Sequence, residues 1–269
     1  GMGDEGIYSA DEIGPDNSVT ATVTLTTGTQ IGDTLVVTDG SGNVLASVTV
    51  TQDMLDNGYP VEVPVTAGAT DVNVTAQVTD MAGNPSAVAT DTQPIDRVAP
   101  GTPSIIILDD GTPGDGWLNQ GEINANGAGI QIQANADHTD LSAGGFVAIS
   151  ISIDGRPQTS FELKLVNGSL VNLDGSTPVV DFTYNNGVIT WNQDTLAEGQ
   201  TLTVEISQTD SAGNQSVNDN DAVTVNGVDA TDDTPGTIYI ASANSSNAWA
   251  IPEDTDGEPK FTISARNAD

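Results

Sequence analysis

The sequence predicts an all-β protein made of two similar units followed by a shorter C-terminal segment. Three observations support this prediction: strand-forming and turn-forming residues dominate the composition, several stretches alternate apolar and polar residues, and one motif occurs twice. Threonine, valine and isoleucine favour strands, whereas glycine, asparagine and aspartate favour tight turns. Helical periodicity is nearly absent. At 269 residues the chain is long enough for two or three domains, each with its own core.

The chain is strongly acidic, with 38 aspartate and glutamate residues against five lysine and arginine residues and a formal net charge of −33. Such a surface repels nucleic-acid phosphates and anionic membranes, so we expect no nucleic acid as a partner and favour cations instead. No apolar run approaches the about 20 residues that span a membrane, so no membrane insertion is expected. Because cysteine is absent, no disulfide joins the units, and a metal ion is the expected substitute.

Strands are predicted in order along the first unit, over residues 18–25, 34–38, 44–50, 60–65 and 71–79. The run Asp39-Gly40-Ser41-Gly42-Asn43 between the second and third strands is typical of a hairpin turn. The unit ends at a signature, Thr79-Asp80-Met81-Ala82-Gly83-Asn84.

The same signature, Thr-Asp-x-Ala-Gly-Asn, returns at 209–214 behind a predicted strand at 201–209. Each unit also begins with a similar loop, because Ser9-Ala10-Asp11-Glu12 aligns with Asn119-Gln120-Gly121-Glu122. These repeats divide the chain into a first unit at 1–98, an enlarged second unit at 99–233, and a segment at 234–269. That segment is either the start of a third domain or a set of strands appended to the second unit.

The second unit carries about 20 extra residues, because Glu12 and Asp80 lie 68 positions apart whereas Glu122 and Asp210 lie 88 apart. The extra residues are predicted between Pro157 and Trp191, as strands at 161–166, 179–184 and 188–191 around an Asn185-Asn186-Gly187 turn. The enlargement is interpreted as a loop extension, with a binding surface as the alternative.

Acidic residues crowd into loops at the ends of the units. The stretch Asp115 to Glu122 follows the second half of a calcium loop, with an acidic ligand, a turn glycine, an apolar residue and a glutamate seven positions after the aspartate. Gly111 and Pro113 break the first half, so the sequence predicts a calcium site of a different type. Like charges that cluster destabilise a fold unless a cation lies between them. The predicted ligands in such loops are Asp4, Glu5, Glu12, Asp109, Asp110, Asp115, Glu122, Asp229, Asp232 and Asp233.

Two other interpretations remain for these carboxylates. Many belong to a solvated acidic coat. The signature residues Asp80 and Asp210 are alternatively turn caps that accept backbone hydrogen bonds. For Asp39, Asp154 and Asn185, turn formation is the favoured interpretation.

The signatures, the start loops and the linker Asp96-Arg97-Val98-Ala99-Pro100 resemble the tandem bacterial immunoglobulin-like repeats of giant RTX adhesins. The resemblance covers residues 1–233 and implies β-sandwich domains arranged end to end, with calcium at the domain ends. It implies that Glu12, Asp80 and Asp96 approach one another in the first unit, and that Glu122, Asp210 and Asp229 or Asp232 do so in the second. Residues 251–269 resemble the start of a cadherin-like domain, in which Glu253 is a calcium ligand.

The expected function is a calcium-rigidified extender of a secreted adhesin, monomeric and placed by type I secretion on the surface of a Gram-negative cell. Neighbouring adhesin domains of the same chain are its expected partners. The alternative is a module of the same adhesin that binds carbohydrate or peptide, with Trp117, Trp191 and Trp249 as stacking residues. Trp117 and Trp191 are instead interpreted as core residues. No enzyme is expected, because the single histidine, His138, is interpreted as an exposed loop residue.

Overall fold

The computed structural model describes residues 6–111, 114–124, 129–194 and 196–225. The segment 234–269 and the predicted ligands Asp4, Glu5, Asp229, Asp232, Asp233 and Glu253 lie outside these residues. In the first unit the strands are β1 (Ser18–Val23), β2 (Thr34–Asp39), β3 (Val44–Thr49), β4 (Tyr59–Pro64), β5 (Asp71–Thr79) and β6 (Ala89–Pro94). In the second they are β7 (Ser104–Ile107), β8 (Trp117–Leu118), β9 (Ile130–Asn135), β10 (Phe146–Ile153), β11 (Thr159–Val166), β12 (Ser169–Asn172), β13 (Thr183–Asn185), β14 (Val188–Gln193), β15 (Thr201–Thr209) and β16 (Asp219–Val225). Within these described residues, the strands are accompanied by four short α-helices, α1 (Ala10–Ile13), α2 (Gln52–Asn57), α3 (Gln120–Asn124) and α4 (His138–Ser142), and by a 3-10 helix at Leu108–Asp110.

The first unit is a β-sandwich of two antiparallel sheets, with strand orders β1-β4 and β3-β2-β5-β6. Alternate residues of a strand face opposite sides, so Leu35 and Val37 of β2 both point inward and are fully buried. Val63 of β4 meets them from the other sheet in the same apolar cluster. All five predicted strands of this unit are present, with ends shifted by at most two residues.

The second unit is a larger sandwich with its own core. Its sheets have the orders β12-β11-β10-β15-β16-β8 and β13-β14-β9-β7. Ile149 of β10, Ile132 of β9 and Ile206 of β15 belong to one apolar cluster that contains no residue of the first unit. The all-β fold class is therefore confirmed, with both described units built as sandwiches.

The enlargement of the second unit consists of strands in both sheets. β12 extends the edge of the six-stranded sheet beside β11, and β13 pairs with β14 through a hairpin at Asn186 and Gly187. The hairpin uses positive φ angles of 47° and 92° at these two residues, as its tight turn requires. Residues 179–182 were predicted as strand but precede β13 without strand pairing. Phe182 instead packs edge-on against Trp191 and Phe161, at ring-centroid distances of 5.2 Å each.

In each unit, the segment before the start loop pairs in parallel with the last strand or the residue after it. The two start loops therefore occupy equivalent positions. Tyr8 pairs with Ile95 in the first unit, and Leu118 of β8 pairs with Val225 of β16 in the second. Ser9 and Asn119 directly follow the first member of each pair. The loop of Glu12 and the loop of Glu122 are therefore equivalent structurally as well as in sequence.

Three predictions about single residues have different outcomes. Trp117 is 52% exposed, so its interpretation as a core residue is wrong: its neighbour Leu118 takes the buried position, because adjacent strand residues face opposite sides. Trp191 is 3% exposed and is confirmed as a core residue. His138 is exposed as predicted, but it begins α4 rather than lying in a loop. In the described part of the chain, no helix is long and apolar enough to cross a membrane.

Candidate functional site at the joint between the units

The signature of the second unit forms a turn that its own aspartate holds together. Asp210 Oδ1 accepts hydrogen bonds from the backbone N–H groups of Ala212 and Asn214, both at 2.9 Å. The Asn214 side-chain amide donates to Asp210 Oδ2 at 2.9 Å. Gly213 lies between them at φ 93°, a conformation that favours glycine. The interpretation of the signature aspartates as turn caps thus describes what their carboxylates do in this fold.

The structural motif extends two residues beyond the signature, to a serine. Ser216 Oγ accepts a hydrogen bond from the backbone N–H of Gln208 at 2.9 Å. The Ser216 N–H in turn donates to the Gln208 carbonyl oxygen at 2.8 Å. Both residues are buried, so Ser216 satisfies a backbone donor that water does not reach.

The same turn contacts the first unit through Asn214. Its Oδ1 accepts a hydrogen bond from the Ala10 N–H at 2.9 Å, and its Nδ2 donates to the Asp96 carbonyl oxygen at 3.0 Å. One side chain of the second unit therefore bridges the start loop and the linker of the first. Asn214 is 7% exposed, and Asp210, Ala212 and Ser216 are buried to a similar extent. We call this contact region the joint; it comprises residues 9–12, 96–97, 137–145 and 208–216.

Ala10 lies in the first turn of α1, where its N–H has no acceptor within the helix. The first N–H groups of any helix lack a partner within the helix. Ser9 and Glu12 form a capping box: Ser9 Oγ accepts from the Glu12 N–H at 3.3 Å, and Glu12 Oε2 accepts from the Ser9 N–H at 3.0 Å. Asn214 satisfies the Ala10 N–H that the box leaves over. A local capping motif in one unit thus becomes the docking point for the other.

Helix α4 of the second unit brings further carboxylates to the joint. The fully buried Gln208 fixes the start of this helix, because its Oε1 accepts from the Asp137 N–H at 2.7 Å and its Nε2 donates to the Asp137 carbonyl oxygen at 2.9 Å. Gly145 allows the backbone after α4 to lie close to the backbone of β15. A Cβ at this position would lie 2.5 Å from the Thr209 carbonyl oxygen and 2.9 Å from that of Asp140. Both contacts are with backbone atoms, which cannot move aside.

The resulting concentration of negative charge affects Asp140. Its pKa is raised above the ordinary value, first by burial and then by repulsion from Asp137, Asp210 and Asp96. Asp96 belongs to the first unit and the other three to the second, so the repulsion acts across the joint. Nevertheless, no three acidic or histidine side chains within the described ranges are arranged as a ready-made metal site.

The resemblance implies that the ligands of one unit lie close together, and the structure does not bring them together in this way. β5 and β6 are antiparallel and Asp71 pairs with Pro94, so Asp80 and Asp96 lie at opposite ends of the first sandwich. Nine strand residues separate these ends by about 30 Å, too far for a shared ion. The second unit has the same arrangement, with Asp210 remote from the end where Leu118 pairs with Val225. Across the joint, in contrast, the Asp210 turn of one unit meets the Glu12 loop and Asp96 of the other.

The carboxylates of segments 109–111 and 114–122 accept hydrogen bonds from nearby backbone N–H groups. Asp110 is 8% exposed and accepts from the N–H groups of Asp115 and Gly116, at 3.2 and 3.1 Å. Asp109 accepts from the Gln131 N–H at 2.8 Å. Asp115 accepts from the Trp117 N–H at 3.0 Å. These bonds account for part of each carboxylate's hydrogen-bonding capacity.

Glu122 takes part in a second capping box. Its Oε2 accepts from the Asn119 N–H at 2.9 Å, and Asn119 Oδ1 accepts from the Glu122 N–H at 3.2 Å. The loops of Glu12 and Glu122 were both predicted as calcium loops. The pattern Ser-x-x-Glu was also visible in the sequence as a capping box, a signal that the calcium prediction did not use.

The joint also contains residues that sequence reasoning did not single out: Asp137, Asp140, Gly145, Gln208, Asn214 and Ser216. The recurrence of asparagine at the end of each signature, and of serine two positions later, was the available signal for two of them. Nothing local marks Gln208, Gly145 or Asp140, because their roles depend on segments about 70 positions away.

Comparisons with known proteins give little further information. No protein-family model matches the chain, and no curated protein matches it. Among solved structures, the chain is similar to the fibronectin(III)-like modules of CbhA from Clostridium thermocellum, with 13% sequence identity and a TM-score of 0.38. That match covers 82% of this chain and 89% of the other.

Proposed function

We propose that this chain is a structural spacer of a secreted bacterial adhesin, in which two β-sandwiches stand end to end and calcium stiffens the joint between them. The observation that carries the proposal is the bridge made by Asn214, which ties the start loop and the linker of the first unit to the signature turn of the second. A contact made by buried polar groups fixes an orientation, because the hydrogen bonds are lost if the units rotate. A fixed orientation is what a spacer requires.

The role of calcium in this proposal follows from the charges at the joint. The pKa of Asp140 is raised first by burial and then by repulsion from the carboxylates of Asp137, Asp210 and Asp96. A hard divalent cation favours carboxylate and carbonyl oxygens, and the proposal requires these side chains to reorient so that such oxygens surround the ion. An ion bound only by the docked joint stabilises it, by about 2.7 kcal/mol at a hundredfold excess over its dissociation constant. The resemblance to RTX adhesin repeats supports the choice of calcium and of an extracellular setting.

The test is thermal unfolding combined with small-angle X-ray scattering, in excess chelator, in millimolar calcium and in millimolar magnesium. We expect calcium alone to raise the melting temperature and to narrow the distribution of particle lengths. Asp96→Asn and Asp140→Asn remove charge without changing shape, and each is expected to reduce the calcium response.

Asp194→Asn is the matched control, because Asp194 is an exposed carboxylate of the second unit that lies beyond the far end of β14. An equal loss of calcium response in Asp194→Asn and Asp140→Asn would assign the effect to general charge screening and contradict the proposal. If calcium changed neither the melting temperature nor the particle lengths of the unmodified chain, the calcium part of the proposal would be wrong and only the spacer function would remain.

A ligand-binding module is the second candidate, and one observation favours it. The outer face of β10, β11 and β15 forms an open groove of about 860 Å³, with small side chains such as Ser150 and Ser207 on its floor and Glu162 and Glu205 beside them. Glycan and peptide arrays test this candidate. Ser150→Trp would fill the floor and abolish binding, whereas Thr20→Trp on the exposed face of β1 is the control that would leave binding unchanged.

A further inference from the structure

The first unit carries a second copy of the docking turn. Asp80 Oδ1 accepts from the N–H groups of Ala82 and Asn84, at 2.9 and 2.8 Å, and the Asn84 amide donates to Asp80 Oδ2 at 2.9 Å. Ser86 Oγ accepts from the Val78 N–H at 3.1 Å, as Ser216 does from Gln208. The turn therefore has the internal geometry of 210–214. In the described part of the chain, the hydrogen bonds of the Asp80 and Asn84 side chains all remain within the turn.

The second unit carries a second copy of the surface that receives such a turn. Residues 119–122 form the same capping box as residues 9–12. Gln120 takes the position of Ala10, so its backbone N–H is the one that the box leaves over. Asn119 is exposed, whereas its counterpart Ser9 is 3% exposed beneath the docked turn. Among the described residues, Asn119 and Glu122 make side-chain hydrogen bonds only within their own loop.

We propose that the turn 80–84 of one chain binds the loop 119–122 of a second copy of this chain, head to tail. Asn84 Oδ1 accepts a hydrogen bond from the Gln120 N–H of the partner copy, as Asn214 does from Ala10 within one chain. The two surfaces lie on different units, so the contact leaves each copy with one unused surface, and copies add in a row instead of closing as a dimer. This association goes beyond the spacer function and does not depend on it.

Charge determines the conditions under which the association is measurable. Each copy carries a formal charge of −33, so copies repel one another at low ionic strength. At about 0.5 M salt the screening length falls to about 4 Å, which removes the long-range part of this repulsion. Within one chain the linker supplies a high local concentration, typically about 1 mM for a short tether. The experiment therefore uses the full chain at about 1 mM, so that a second copy is present at about the concentration that the linker supplies within one chain.

Disulfide trapping is the test, because the chain has no cysteine of its own. The joint within one chain provides the positive control. A Cβ at Gly213 would lie 3.9 Å from Ser9 Cβ, within the range for a disulfide. Ser9→Cys combined with Gly213→Cys is therefore expected to form an intramolecular bond. The equivalent pair between copies is Asn119→Cys on one chain and Gly83→Cys on the other, mixed under mild oxidation in chelator and in calcium.

Gly42→Cys is the matched control for Gly83→Cys. Asp39 accepts from the N–H groups of Ser41 and Asn43 as Asp80 does in its own turn, and Gly42 has φ 82° against 90° for Gly83. The turn at 39–43 has serine in place of Ala82, the position equivalent to the buried Ala212. Any trapping that depends only on an exposed cysteine in such a turn affects both variants equally.

We expect Gly83→Cys to cross-link to Asn119→Cys at least about tenfold faster than Gly42→Cys does, in chelator or in calcium. Adding Asn84→Ala to the Gly83→Cys chain is expected to remove that advantage. Equal trapping of the two variants, or no trapping while the Ser9 and Gly213 pair closes, would overturn the proposal. Because the cross-link is expected with or without calcium, failure to trap it would overturn this proposal alone, whereas a missing calcium response in thermal unfolding and scattering would overturn the calcium-stiffened joint alone.

Discussion

The two copies of the signature turn have the same internal hydrogen bonds and opposite environments. In the second unit, Asp210, Ala212 and Asn214 are 5–7% exposed beneath the start loop of the first unit. In the first unit, all residues from Asp80 to Asn84 are exposed, and Met81 is 74% exposed. The difference shows that the motif folds by local hydrogen bonding and that docking is a separate event. Substitutions at equivalent positions therefore divide each residue's contribution into a turn part and a joint part.

Asn214→Ala is expected to have the largest effect. It removes the bond within the turn and also leaves the Ala10 N–H and the Asp96 carbonyl without their partner, for a loss of about 2–3 kcal/mol of stability. Asn84→Ala removes only the bond within its turn and is expected to cost about 1 kcal/mol or less. Denaturant unfolding of the full chain measures both, and equal losses would mean that the joint contributes nothing.

Ser216→Ala is expected to cost about 1–2 kcal/mol, because it leaves the buried Gln208 N–H with no acceptor. Ser86→Ala makes the same change beside Val78 in the exposed copy, where water replaces the hydroxyl, so a loss below about 1 kcal/mol is expected. Amide hydrogen exchange provides the direct readout, with the Gln208 amide exchanging much faster in Ser216→Ala. Unchanged exchange there would show that the serine hydroxyl is dispensable.

Gly83→Ala and Gly213→Ala are expected to have equal effects, about 1 kcal/mol each, because both residues have φ near 90° and an L-residue is strained there. A Cβ at Gly83 meets nothing within 4 Å, and one at Gly213 meets only Ser9 Cβ at an ordinary contact distance of 3.9 Å. Thermal unfolding of the two variants checks this. A substantially larger loss for Gly213→Ala would indicate that the joint is tighter than these distances imply.

Asp140→Asn is expected to have the smallest effect and the opposite sign. The pKa of Asp140 is raised in the folded state, so its ionised form destabilises the joint above that pKa, and the destabilisation disappears as the pH falls through it. In chelator at neutral pH the variant is therefore expected to be more stable, by less than about 1 kcal/mol because Asp140 is only partly buried and solvent screens its charge.

Stability measured against pH tests this sign. The variant's advantage in free energy of unfolding should shrink as the pH falls from neutral through the raised pKa. Near the ordinary value of 3.8, the unmodified chain and the variant should be about equally stable. Asp194→Asn again serves as the control for the overall charge. A variant that is less stable than the unmodified chain at neutral pH would mean that Asp140 makes a favourable contact in its ionised form.

The sequence by itself determined the fold class and most strands of the first unit. The alternation of apolar and polar residues in β2 and β5, and the turn at Asp39, are local signals, and local signals are sufficient for strands and hairpins. The repeated signature also identified a real structural element, since both copies form the same turn. Its internal function as an aspartate-capped turn was accessible from the residue types alone.

Only the tertiary structure decided which of the acidic segments meet. The direction of β5 and β6 places Asp80 and Asp96 at opposite ends of one unit, whereas the order of the units along the chain brings Asp96 to the Asp210 turn. Trp117 and Leu118 are neighbours of similar character, and only the pairing of β8 with β16 decides which of them is buried. Strand direction and sheet order depend on contacts between residues far apart in the chain, and a residue's type and nearest neighbours carry no record of those contacts.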